Sequence, residues 1–148
     1  MQKAYKYSIL YFLLFSLLLL GSSALLFSQK IGFSYEGVLD YYMGSEELFI
    51  MAKSYCGLLK IILPHILGFA LFFMVVLHFL LFTKHNKTKQ FKFLIYSTFC
   101  VGFLELFSPF FILSGFEVFA YIKLISFFLL ELLLLYVFWL LLNAIISK

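Results

Sequence analysis

One stretch limits what this chain can fold into more than any other: Gly57 to Thr83, GLLKIILPHILGFALFFMVVLHFLLFT, about 27 residues that are almost wholly apolar. An α-helix needs about 20 such residues to cross the hydrocarbon core of a bilayer, so this run spans it with some tilt. Three further apolar runs stand around it: Ile9 to Phe27, Phe93 to about Leu113, and about Ile122 to Ile146. With 65% hydrophobic and only 12% charged side chains over 148 residues, the chain lies far outside the composition of soluble domains. The expected fold is all-α: a single transmembrane domain, 1–148, built as a four-helix up-down bundle with spans near 9–27, 57–83, 93–113 and 122–146. The first run competes with a signal peptide, because small residues at Gly21 to Ala24 resemble a cleavage region. Its apolar core exceeds the 7–15 residues usual for such peptides, which favours a retained span.

The connections fix the orientation expected. All eleven cations are lysines. Lys3, Lys6, Lys84, Lys87, Lys89, Lys92 and Lys148 fall on one side, without acids. Lys30, Lys53, Lys60 and Lys123 share the other with Glu36, Asp40, Glu46, Glu47 and Glu117. Short lysine-rich loops such as Lys84 to Lys92 stay in the cytoplasm, so both termini belong inside and Ser28 to Cys56 outside. That outer segment is too short for a domain. Ser45 followed by two glutamates reads as a helix start running on toward the second span, and Tyr35, Tyr41 and Tyr42 suit the headgroup zone. A short interfacial helix between the first two spans is therefore expected. Cys56 and Cys100 fall at different depths and are expected to be unpaired thiols.

Four ionisable residues stand out inside the spans: His65, His78, Glu105 and Glu131. A charge at the bilayer centre costs about 2.5–3.5 kcal/mol, so such groups face the bundle interior and mark sites by default. From span midpoints and a rise of 1.5 Å per residue, Glu105 and Glu131 lie about 3–5 Å, and His65 about 7–8 Å, to the outer side of the midplane. The three are expected to share one polar site, either hydrogen-bonded as interhelical glue or poised to carry protons or a metal ion. Pro64 and Pro109 each free a backbone carbonyl four residues earlier, which a side chain or water can bond.

His65 and His78 also invite a haem b reading, since membrane four-helix cytochromes hold iron between histidines. Their spacing of thirteen residues puts them about 140° apart around the helix, and no other span offers a histidine. No phosphate-cradling glycine loop, HExxH, nucleophile elbow or CxxC is present, and no residue is nominated as a nucleophile. Lysine-rich and free of arginine, the composition resembles that of small four-span inner-membrane proteins of bacteria. Three functions follow as expectations: an accessory or assembly subunit of a larger membrane complex, a haem-binding protein using His65 and His78, or a small proton or metal-ion carrier using Glu105, Glu131 and His65. The partners expected are the lipid bilayer and a membrane protein or a second copy, with no nucleic acid.

Overall fold

The computed structural model describes residues 3–81, 83 and 88–146. Among these residues the chain is five helices in the order α1 (Lys3–Lys30), α2 (Tyr35–Met43), α3 (Tyr55–Leu80), α4 (Lys89–Leu113) and α5 (Phe119–Ile146). α1, α3, α4 and α5 are long and apolar enough to cross a membrane, as the four apolar runs require. Three of them overrun those runs, because the hydrogen-bonded ladder continues to residues such as Lys6, Lys30 and Lys89 that can reach water. Of the basic loop 84–92, residues 84–87 lie outside the described residues.

Helix starts follow from local capping chemistry. Ser34, Ser54 and Thr88 hold extended backbone, and each hydroxyl oxygen accepts from the N–H three residues on, at Gly37, Gly57 and Phe91. The short helix between the first two spans is present, but Ser45 does not start it. α2 begins ten residues earlier and ends at Gly44, whose φ of 85° turns the chain out of the helix. Ser45 instead opens a tight loop: its N–H and that of Ile50 bond to each other's carbonyls at 2.9 Å, and its hydroxyl accepts from Leu48 N–H at 3.4 Å. A serine bonding an N–H three residues on serves a turn as well as a helix, so the motif alone could not separate the two.

The α4–α5 hairpin, closed by residues 114–118, is the most intimate pair, and α3 packs against both helices. α1 lies antiparallel along α5: Phe27 stacks on Phe127 at 4.1 Å near one end, and Lys6 Nζ donates to the Ile145 carbonyl at 3.1 Å near the other. That bond answers one of the carbonyls every helix leaves open in its last turn.

Two apolar clusters form the core. The larger joins α1, α3, α4 and α5 through residues such as Leu13, Val76, Leu80, Val137 and Leu141. The smaller sits beneath α2, where Val38 and Tyr42 pack with Leu58, Ile62, Ile112 and Ala120 from the ends of α3, α4 and α5. α2 thus packs its buried face on the ends of the three spans. Between the clusters, no residue of α3 from 63 to 72 is buried.

Candidate intramembrane polar site

Pro109 has no N–H, so the carbonyl of Glu105, four residues back in α4, loses its helical bond. Lys123 of α5 supplies the donor. Its Nζ lies 2.8 Å from that carbonyl and also bonds the Glu105 carboxylate, while the Ser108 hydroxyl donates to the same carbonyl at 3.4 Å. One ammonium therefore satisfies both the orphaned backbone oxygen and the side chain of a single residue. Lys123 is only 6% exposed and Glu105 9%, so the pair is closed to the surroundings. Lys123 lies four residues into α5 and Glu105 eight residues from the end of α4, about 6 Å and about 12 Å of helix respectively. The lysine stem must therefore run inward, against the usual tendency to snorkel toward water.

The surrounding hydroxyls are tied to backbone. Ser126 donates to the Lys123 carbonyl at 3.1 Å and Thr98 to the Leu94 carbonyl at 2.8 Å. Tyr42 of α2 is buried, and burial, followed by the charge of the Glu105 carboxylate, pushes its phenol above the ordinary tyrosine value. Both influences favour the neutral phenol.

Glu131 is half-buried, with one carboxyl oxygen 2.5 Å from the Ser23 hydroxyl of α1. It remains within electrostatic reach of Glu105, but its hydrogen bond goes to a different helix. His65 is exposed: its Nδ1 donates to the Ile61 carbonyl one turn back at 2.6 Å, and its ring meets the edge of Phe69. His78, also exposed, stands in the last turn of α3. The three residues expected to share a site thus have three separate bonding partners, and among the described residues no three His, Cys, Asp or Glu side chains converge as metal ligands. Cys56 and Cys100 are exposed free thiols.

Two participants were not foreseen. The lysine pattern uses Lys123 only to set topology, although the carbonyl freed by Pro109 signals that a donor is needed at Glu105. Ser23 lay in the small-residue cluster near Gly21, where nothing pointed to a glutamate 108 residues away.

Residues 32–148 match a family model described as a transmembrane helical domain. The match takes in α2 to α5 and stops short of α1. No curated protein and no solved structure matches the chain.

Proposed function

Because the chain belongs to the Aq_1264_TM family of transmembrane helical domains, we propose that it works by association, as an accessory or assembly subunit of a larger complex in the bacterial inner membrane. The observation that carries this reading is α3 between residues 63 and 72, which has no buried residue over nearly three turns. A bundle helix ordinarily buries one stripe against its neighbours. Here only Phe69 and Phe72 are half-buried against the core, and the rest of the segment presents His65 and Gly68, together with Pro64. An imidazole left toward hydrocarbon is costly, and a glycine with nothing within 4 Å of an added Cβ leaves room for another backbone to approach closely. Both features suit a transmembrane helix of a partner. The bundle's carboxyls, by contrast, are already occupied with Lys123 and Ser23.

A photo-crosslinking residue at Leu67, which is 64% exposed on α3, tests this against the same residue at Leu132, 63% exposed on α5. The expected result in intact cells is an adduct at position 67 with a membrane-spanning protein, identified by mass spectrometry, and only lipid adducts at 132. Lipid adducts alone at both positions would remove the basis for the reading. A covalent dimer would identify a second copy as the partner.

The lysine asymmetry supports placing both termini in the cytoplasm. Single cysteines at Glu46 and Lys87, in a background lacking Cys56 and Cys100, should react with an impermeant thiol reagent in intact cells at 46 and not at 87. The reverse pattern would invert the orientation.

A further inference from the structure

Away from the four spans, large apolar side chains are concentrated in the loop between α2 and α3. The loop projects Leu48 at 60% exposure, Phe49 at 94% and, just beyond its closing bonds, Met51 at 88%. Phe49 has a φ of 55°, in the left-handed region that bulky L-residues avoid. Its ring gains almost no packing within the chain in return. A strained residue with an outward aromatic is an observation that asks for something outside the chain to receive it.

The presentation is built. At Gly44 an added Cβ would lie 2.6 Å from the Ala52 nitrogen, so the chain folds back tightly on the end of α2. The Lys53 N–H then bonds the Tyr42 carbonyl at 2.9 Å, and the Lys53 ammonium sits 4.6 Å over the Tyr41 ring. The level of the loop is also set. Met51 precedes the start of α3 at Tyr55 by four residues, about 14 Å at full extension. The Tyr55 and Ser114 hydroxyls bond at 3.1 Å, which brings the head of α3 level with the α4–α5 turn, where Phe116 and Val118 are likewise exposed. Leu59 and Leu63, in the first turns of α3, are exposed and apolar as well.

We infer that this loop is an interfacial anchor: Leu48, Phe49 and Met51 enter the headgroup–acyl boundary of the leaflet at the α2 end of the bundle. Lipid is the occupant this position selects, because the loop stands at the head of a span whose first turns already expose leucines to hydrocarbon. The neighbouring tyrosines are of the type that sits at that depth. Glu46 and Glu47 stay on the water side, where their charge adds no attraction to anionic headgroups. The anchor holds the C-terminal end of α2, and with it Tyr42, against the ends of α3, α4 and α5.

The chain has one tryptophan, Trp139, so Trp139→Phe with Phe49→Trp gives a single reporter at the loop tip. The full chain is reconstituted in phosphatidylcholine vesicles, plain or brominated at the acyl positions nearest the headgroup. The expected emission is blue-shifted, and it loses more intensity to the brominated lipid than to aqueous iodide. Met51→Trp in the same background should behave alike. Greater loss to iodide would place the loop in water and overturn the inference. Protection from both quenchers would place the ring under protein, a second copy included, and overturn it equally.

Discussion

Changing Lys123 to methionine should destabilise the bundle by about 3–5 kcal/mol, the usual cost of removing one partner of a buried ion pair. Two groups lose the Lys123 ammonium at once: the Glu105 carboxylate, and the carbonyl that Pro109 leaves without a helical N–H, which keeps only the longer Ser108 bond. The two losses separate in a mutant series followed by unfolding in mixed micelles. Glu105→Gln added to Lys123→Met removes the stranded charge and should recover part of the stability. Pro109→Ala, added third, returns an N–H to the carbonyl and should recover more. If Lys123→Met alone costs less than about 1 kcal/mol, the value of an exposed pair, the lysine is not closed off from water as described.

Gly102→Ala should cost about 1–3 kcal/mol, the range for overpacking a filled core. An added Cβ would lie 2.5 Å from Cε2 and 3.0 Å from Cζ of Phe73. That ring is 3% exposed and held by contacts with Phe69, Phe72 and Phe99, so it has little freedom to swing aside. Gly68→Ala is the matched control. Nothing lies within 4 Å of its added Cβ, and alanine favours helix over glycine by about 1 kcal/mol, so stability should hold or rise. Combining Gly102→Ala with Phe73→Leu should cost less than the two changes taken separately, because each relieves the other's misfit. Strict additivity would mean that α3 and α4 do not approach closely at this point.

The parts of this fold legible in the sequence are those set by solvent. Long apolar runs bounded by lysines give the four spans, and the positions where backbone returns to water give their connections. The freed carbonyl at Glu105 was legible too, since it follows from the covalent structure of Pro109. Less legible were the features decided by which face of a helix meets which neighbour. Lys123 near the head of α5 could point outward to water or inward to Glu105, and its sequence neighbours do not distinguish the two. His65 was assigned to the interior on the cost of a lipid-facing imidazole, whereas its Nδ1 is satisfied within its own helix turn and the ring lies exposed. The start of α2 was misplaced because Ser34 and Ser45 offer the same capping hydroxyl, and only the closure of 45–50 separates a helix start from a turn.

The placement of α1 has a consequence for how the molecule is made. Its contacts with α5 join residues about a hundred positions apart, such as Ser23 with Glu131 and Phe27 with Phe127. Of the described helices α1 is made before the others; α3 then offers it ring contacts, Phe12 with Phe72 and Phe79, but its polar partner comes only with α5. Transmembrane helices insert individually and associate afterwards, so a helix whose polar partner comes late needs a surface that lipid accepts meanwhile, which the leucine-rich run from Leu13 to Leu20 provides. α4 and α5, joined by a short turn, can zip together as soon as both are in place. The Glu131 carboxyl can therefore reach Ser23 only after α3, α4 and α5 have all followed α1 into the membrane.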